Sequence, residues 1–475
     1  MGLINKKNAL YWILGLSISL RLCIALMRTD MVWPDEHFQT LEPAGHAVFG
    51  FGLLSWEWLK EYRSWIGPGF FVPLFYFLKL LGVTGGMIPV YAARVMLAIF
   101  SGLLVLPLSK ICDDLKINST SKWIALGLFA IHPSLLLWGP TTLSDTIITF
   151  IYWSLLAYSI GKLNRPILIG FLMSIPFLFK IQSLVFTLTF IAILFVKSKS
   201  IQNLAKHLAG VLLAFLVYGL VDFFTYGTFL KSFINQVTQG LAISKSYGTS
   251  PFYDYFLKLT TDQGLFIVLF LIFSVVYLLK KKKIKINFNA ALIYLPPMAY
   301  FVFLSFIVHK EMRFLLPVLP MLYIAIAHCL HFLINERLKK SLHRFSFFYI
   351  VVFIGLSIYS VYAASKIPLY LSSVKIDHLE DVIYKDGGLS NGNCIFFHKH
   401  NWSWSRGYLV LGQETSFVTK SLDPHKLEIA QFCPYAILPS ETLSNWYKKY
   451  PKDKWKIFAQ EQTNSYILLK FTPTP

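Results

Sequence analysis

Asp35 and Glu36 stand side by side in the stretch Trp33-Pro34-Asp35-Glu36-His37, just past the first apolar run of the chain. Adjacent carboxylates at one point of a chain are candidates for catalytic acid–base work. The residue before a proline favours extended backbone, and carboxylates suit the open N–H groups where a helix begins, so a helix start is expected at this point. Neighbouring side chains on a helix point about 100° apart, so the two acids face different surroundings, and one can be catalytic while the other orients. The same loop holds Asp30, Glu42, Glu57 and Glu61 against Arg28, Lys60 and Arg63; ordinary solvation accounts for most of these.

A second constellation is His309-Lys310-Glu311-Met312-Arg313, a tight turn between two apolar runs. Interface anchoring explains one or two such charges. Three candidate cations together suit a lipid phosphate better. A third comprises Asp222 in Val221–Phe229 and Tyr247 and Tyr253 in Ser246–Phe256, where an aromatic belt is the plain explanation and stacking on sugar rings the functional one. Asp145 and Lys180 fall near the ends of apolar runs; charge at membrane depth is costly and lines cavities, although both side chains could snorkel to the interface.

The elements that must hold these residues are membrane helices. The chain has 475 residues, 55% hydrophobic and only 14% charged, with a mean hydropathy of +0.56, too apolar for a soluble protein of this size. Apolar runs of about 17–22 residues recur, the length that crosses about 30 Å of hydrocarbon. The first, Ala9–Met27, carries Arg21 and lacks a small-x-small cleavage site, so it reads as a retained helix and not a cleaved signal. The formal charge of +20 falls mainly between the runs, where it orients the chain, so no nucleic-acid partner is implied.

Basic segments occur at Lys6/Lys7, Lys110–Lys122, Lys162/Arg165, Lys197–Lys206, Lys280–Lys285 and Asn335–Arg344. Placing all of them in the cytoplasm requires about eleven spans: 9–27, 88–109, 122–138, 142–160, 166–179, 183–196, 208–224, 263–279, 290–308, 314–333 and 346–364. The run Phe70–Leu81 is left over as an amphipathic or re-entrant helix. The map puts the N-terminus in the cytoplasm. It puts Arg28–Ser64, Thr141–Asp145, Thr225–Gln263, His309–Arg313 and everything after Ser365 on the opposite, periplasmic or lumenal face.

Two domains are therefore expected: 1–364, a transmembrane domain with a catalytic outer loop over 28–68, and 365–475, a small α/β extracytoplasmic domain. In the latter, short β-prone runs, "CIFFH", "GYLVLG", "TSFVTK", "YAILP", "WKIFAQ" and "SYILLKF", alternate with turn residues. The five cysteines show no metal-ligand spacing, and Cys394 and Cys433 are the pair that could form a disulfide in an oxidising compartment. Asn118-Ser119-Thr120 and Asn401-Trp402-Ser403 are glycosylation triplets, the second on the outer face of the map. No phosphate-binding loop, dinucleotide fingerprint, HExxH or nucleophile elbow is present. An activated substrate would then come from the lipid phase.

"WPDEHFQTLEPAGHAVFGFGLLSWEW" with "RSW" after it resembles the first lumenal loop of the dolichyl-phosphate-mannose-dependent α-mannosyltransferases, glycosyltransferase family 22, which contains the GPI-anchor third-mannose enzyme and the α-mannosyltransferases of N-glycan assembly. "HKEMRFLLPVLP" resembles that family's HKE-x-RF-x-x-P signature, and "DFFTYG" and "YGTSPFYDYF" its D-x-x-x-YG and YGTHPW-type loops. The four blocks keep the family's order over most of the membrane portion. The resemblance implies a GT-C fold, all-α and polytopic, and an inverting transfer of mannose from a polyprenyl (dolichyl)-phosphate donor to a hydroxyl of a glycolipid or glycan. It implies Asp35 as base with Glu36 as companion, and His309, Lys310 and Arg313 as donor-phosphate contacts. Glu311, Asp145, Lys180, Asp222, Tyr247 and Tyr253 are the further substrate-binding candidates. No cofactor and no metal are required.

The serine and phenylalanine of "YGTSPF" depart from the His and Trp of many relatives, so acceptor recognition is not carried over. Short lysine-rich loops fit a bacterial member in the inner membrane, using a bacterial polyprenol; a eukaryotic member would sit in the endoplasmic reticulum. Two alternatives stand beside this reading. One is a GT-C transferase of another polyprenyl-phosphate-linked sugar. The other is a transporter or flippase of lipid-linked sugar, which would show inverted repeats with broken helices in matching halves.

Overall fold

The computed structural model of the chain describes residues 6–28, 31–83, 85–264, 267–272 and 287–337, then 394–398, 416–420, 435–439, 443–444, 455–460 and 466–471. It divides into two compact units. The first contains residues 1–27, 57–67 and 94–365, the second 28–56, 68–93 and 366–475.

Helices dominate. In chain order they are α1 (Lys6–Met27), α2 (Glu42–Phe49), α3 (Trp56–Leu59), α4 (Ile66–Gly69), α5 (Val72–Leu80), α6 (Met87–Leu103), α7 (Val105–Asp114) and α8 (Ser119–Ile131). There follow α9 (Pro133–Trp138), α10 (Ser144–Ser159), α11 (Pro166–Phe179), α12 (Leu184–Ser198), α13 (Ile201–Tyr226), α14 (Lys231–Ser246), α15 (Asp254–Gln263), α16 (Phe288–Phe306) and α17 (Leu319–Arg337). Five stretches, Asn8–Met27, Met87–Asp114, Ile181–Ser198, Ile201–Tyr226 and Phe288–Phe306, are long and apolar enough to cross a bilayer, and α11 and Leu319–Phe332 are shorter apolar helices.

Several expected spans are subdivided. The expected helix 122–138 is two helices, because Pro133 cannot donate to the ladder and holds His132 in extended backbone (φ −65°, ψ 128°). The orphan carbonyls this leaves at the end of α8 are met by Arg21. Its guanidinium donates to Ala130 O (3.1 Å) and Phe129 O (3.3 Å), which explains how an arginine sits inside a membrane helix. The expected span 314–333 begins as a 3₁₀ turn, Met312–Leu315, before α17. At nine residues, α5 is about 13 Å long and too short to span. Asn118 caps α8 by accepting from the Ser121 N–H (2.8 Å), so the first glycosylation triplet is a helix start.

Close backbone packing joins α11 to α13. A Cβ on Gly170 would lie 2.1 Å from His207 O, and one on Gly210 would lie 2.2 Å from Ile167 O, so only glycine permits this approach. In the second unit Gly52 lies against α2, its missing Cβ 2.1 Å from Glu42 O.

Five of the six expected C-terminal strand segments are strands: β1 (Cys394–His398), β2 (Ser416–Lys420), β3 (Tyr435–Pro439), β4 (Trp455–Gln460) and β5 (Tyr466–Phe471). They form a mixed sheet in the order β2-β1-β3-β5-β4. β1 is parallel to both β2 and β3, while β5 is antiparallel to β3 and β4. The "GYLVLG" segment, Cys433, Asn401, Lys280–Lys285, the expected span 346–364 and most of 263–279 lie outside the described residues.

Candidate active site

In the second unit a helical turn does begin at Asp35, with the Glu36 N–H bonded to Trp33 O (3.0 Å) and the His37 N–H to Pro34 O (3.0 Å). It widens at once into a π-helix, His37–Leu41, a variant frequent at functional sites. The two neighbouring acids then separate as their 100° offset requires. Glu36 is fully buried; its Oε2 pairs with Arg28 at 2.7 Å and its Oε1 accepts the Val32 N–H at 2.5 Å. Asp35 is half-buried. Glu36 therefore fixes the loop that presents Asp35. Glu42, also buried, accepts the Leu53 N–H (2.6 Å) and ties the 50–54 segment to α2.

In the first unit the His309–Arg313 turn is built around Glu311. Its carboxylate meets His309 Nε2 at 2.8 Å and Arg313 Nε at 2.6 Å. Lys310 is only 5% exposed, and its ammonium donates to Ile307 O (2.6 Å) and Ser250 O (3.1 Å). The Ser250 N–H in turn donates to Val308 O (2.8 Å), so the "YGTSPF" and "HKEMRF" blocks are laced together. Burial holds the Lys310 pKa below its usual 10.5, with Asp254 pulling it back up and Lys258 adding to the lowering.

Asp145 and Lys180 form a buried ion pair; neither snorkels. Lys180 Nζ also lies 4.0 Å from the centroid of the Phe314 ring, and the Arg313 guanidinium lies 5.2 Å from the same ring, so Phe314 joins the pair to the cationic turn. Trp153 of α10 donates from Nε1 to Pro317 O (2.9 Å), pinning the segment after the turn. Arg63 pairs with Glu57 at 2.9 Å.

The remaining candidates are placed differently. Asp222 is fully buried and accepts from both the Ser232 N–H (2.7 Å) and hydroxyl (2.8 Å), which fastens the corner between α13 and α14. Tyr247 is 59% exposed with its ring 5.8 Å from that of His309, and Tyr253 is exposed nearby in sequence. Thus the structure groups Asp145, Lys180, His309, Lys310, Glu311, Arg313 and Tyr247 within one unit and Asp35 and Glu36 within the other. Arg28 and Phe314 are partners that the sequence reading does not single out, and Ser250 stands out there only as a departure from the family pattern. Arg28, the cation nearest before Glu36, carried the only visible signal. Among the described residues no three His, Cys, Asp or Glu side chains converge to hold a metal ion.

Comparison with known proteins places these features in a family. Residues 12–389 match the profile of the Alg9-like mannosyltransferase family. "Mannosyltransferase APTG1" of Arabidopsis thaliana is 28% identical over 322 residues, 64% of this chain and 55% of that protein. "GPI mannosyltransferase 3" of Yarrowia lipolytica is 26% identical over 340 residues, 67% of this chain and 62% of that protein. The alignment thus spans less than two thirds of the length of either relative. Among solved structures, ArnT from Cupriavidus metallidurans bound to undecaprenyl phosphate superposes with a TM-score of 0.61 at 12% identity, covering 97% of each chain. An oligosaccharyltransferase of Archaeoglobus fulgidus gives 0.51 at 11% identity over 92% of this chain and 70% of that one. Those two likenesses establish the fold, a polytopic membrane fold of GT-C type.

Proposed function

The chain belongs to the Alg9-like mannosyltransferase family, and from that premise we propose that it is an integral-membrane enzyme transferring mannose from a polyprenyl-phosphate donor to a hydroxyl of a glycolipid or glycan. The acceptor hydroxyl attacks the anomeric carbon while Asp35 takes its proton. The bond from that carbon to the phosphate oxygen breaks, the electron pair leaves with the lipid phosphate, and the anomeric centre inverts.

One observation carries the reading: a turn in which His309, Lys310 and Arg313 are held in place by the protein's own ion pairs and hydrogen bonds. An ammonium has three N–H donors, and Lys310 gives one each to Ile307 O and Ser250 O, so the third is available to a departing phosphate oxygen. Preset donors of this kind stabilise developing charge without reorganising during the reaction. Asp145 and Lys180, bound to each other beneath Phe314, support the turn in this proposal. On the topology read from the sequence, the reaction lies on the periplasmic or lumenal side, with the N-terminus in the cytoplasm.

The test uses purified wild-type and Asp35→Asn proteins in detergent with radiolabelled polyprenyl-phosphate mannose and a pool of glycolipid acceptors. Transfer by the wild type, reduced about 10²–10⁴-fold in the variant, is the expected result. Equal transfer by both removes Asp35 as the base. Transfer only when the donor carries another sugar would favour the alternative GT-C enzyme. ATP-independent movement of the intact lipid-linked sugar across vesicles, with no transfer, would favour a flippase.

A further inference from the structure

Arg21 lies in the second half of α1 and is 1% exposed. Its guanidinium donates from Nη1 to Ser17 O (3.1 Å), Ser17 Oγ (2.8 Å) and Ala130 O (3.1 Å), and from Nη2 to Phe129 O (3.3 Å). All of these acceptors are uncharged. Among the described residues no carboxylate pairs with Arg21. Asp262 is joined to this region only indirectly. Its Oδ2 accepts from Gln263 Nε2 (2.6 Å), Gln263 Oε1 accepts the Tyr323 hydroxyl (2.9 Å), and the Tyr323 ring meets Phe129 edge-on at 5.5 Å. Carbonyl groups satisfy hydrogen bonds, but they do not cancel a charge, and a buried charge without a counter-charge is costly.

Beside the guanidinium is a cavity of about 20 Å³ whose walls include Arg21, Ser101, Gly139, Thr146, Leu104 and Leu316. Arg21 Nε is buried there without a hydrogen-bond partner. A Cβ on Gly139 would lie 3.1 Å from Arg21 Nε and 2.8 Å from Ser101 Oγ, so both polar atoms converge where Gly139 has no side chain. Ser101 Oγ now donates to Ala98 O at 3.2 Å, a long bond for a hydroxyl that can rotate to another acceptor. The Thr146 and Thr149 hydroxyls are already engaged, with Trp138 O (3.0 Å) and Asp145 O (2.6 Å). The Leu135 carbonyl at the same corner takes the Gly139 N–H (3.0 Å). The place thus offers donors and a positive charge, and its remaining wall is apolar.

We propose that this cavity binds one chloride ion, held by the Arg21 Nε–H and the Ser101 hydroxyl. The space admits a particle of about the size of a water molecule, which leaves no room for sulfate, phosphate or a lipid headgroup. A water there would meet the unpartnered N–H and leave the charge uncountered. Chloride meets both, and as a weakly hydrated ion it accepts an apolar wall.

The site joins elements that carry candidate site residues. Thr146 belongs to α10 just after Asp145, and Leu316 follows the His309–Arg313 turn. A bound anion would therefore link α1 and α6 to the two segments that hold the buried ion pair and the cationic turn. The inference concerns a place apart from the reacting groups, and it stands whether or not the chain transfers mannose.

The test is equilibrium binding of radiolabelled chloride to the purified full chain in detergent, with sodium gluconate holding the ionic strength constant. The expected result is one saturable site per chain, displaced by bromide and not by gluconate or sulfate. Arg21→Gln removes the charge and should abolish binding, while Ser101→Ala removes one donor to an ion and should weaken it about tenfold. Chloride should also raise the thermal unfolding midpoint of the wild type at fixed ionic strength and leave that of Arg21→Gln unmoved. Absence of saturable binding to the wild type would mean that the cavity is dry or holds water, and would overturn the proposal. Binding equally strong in wild type and Ser101→Ala would place the ion elsewhere and overturn it too; this variant decides alone if Arg21→Gln yields no monodisperse protein.

Discussion

At the residue scale the burial of Glu36 and Lys310 makes separable claims. Glu36 and Arg28 are 0% and 6% exposed at their side chains, so neutralising one of them breaks an ion pair in a buried site. Glu36→Gln should cost about 3–5 kcal/mol, read as a lower unfolding midpoint in detergent, and should reduce transfer even though Asp35 remains. Replacing the pair together, Arg28→Met with Glu36→Leu, should restore much of the stability, since an apolar pair of similar volume is often neutral; recovery of stability without activity would show that the pair positions Asp35. Lys310 gives a pH prediction. Its pKa is lowered by burial, so the proton that a phosphate would need is lost as pH rises through a value below 10.5. The sign for stability is opposite: between the folded value and that of the unfolded chain the unfolded state binds more protons, so this group's contribution to stability rises with pH in that window. The profile of kcat/KM should therefore fall on its basic side without a matching fall in stability. Lys310→Arg, charged throughout the range, should move that limb upward, whereas Lys310→Ala should raise the KM for donor more than for acceptor. A basic limb unmoved by Lys310→Arg would detach Lys310 from phosphate binding.

At the element scale the contact between α11 and α13 depends on glycine. Gly210→Val would drive side-chain atoms into Ile167 O and Phe171 N, already 2.2 and 2.5 Å from an ideal Cβ, and the helices must part. The expected outcome is loss of monodisperse folded protein on gel filtration, whereas Gly127→Val, where a Cβ would meet nothing within 4 Å, should behave as wild type. Helix and strand identities were largely legible in the sequence. Pro166 and the break before Lys180 bound α11 at the expected residues 166–179, and five β-prone runs are strands in place. Where the reading fell short, the cause was tertiary. Hydropathy runs straight through His132-Pro133 and Leu104, yet each divides a helix; at the first break Arg21 meets the freed carbonyls. In the same way Asp145 and Lys180, 35 residues apart, give no periodic signal of pairing. Asp222, a substrate-binding candidate in the sequence, accepts from Ser232 at the α13–α14 corner. Asp222→Asn should thus lower stability by about 1–3 kcal/mol through weakened acceptance from Ser232, a loss visible in thermal unfolding without ligand.

At the scale of the whole molecule the distribution of charge and the described helices constrain one another. Lys162 lies between α10 and α11, Lys199 between α12 and α13, and the loop at Gly248 follows α14. The sequence map puts the two lysine loops on one face and the Gly248 loop on the other, which requires α11 and α12 each to cross and α13 to cross once more. α13, with 26 residues, is about 39 Å long and crosses without difficulty, but α11, with 14, is about 21 Å, short of the roughly 30 Å hydrocarbon. If α11 crosses, the leaflets must thin locally or polar ends must snorkel; Arg165 before it and Lys180 after it stand at its ends, and Lys180 is neutralised by Asp145. If it does not, Lys162 and Lys199 fall on opposite faces, because a single crossing by α12 separates them. A membrane-impermeant thiol reagent on sealed right-side-out and inside-out vesicles decides between these, using single cysteines at Lys162, Lys199 and Thr249 with the native cysteines replaced. Labelling of 162 and 199 from one side and of 249 from the other is the expected pattern. Labelling of 162 and 249 from the same side would remove α11 as a crossing, invert every earlier loop, and with them the side on which Asp145 and the catalytic loop are placed.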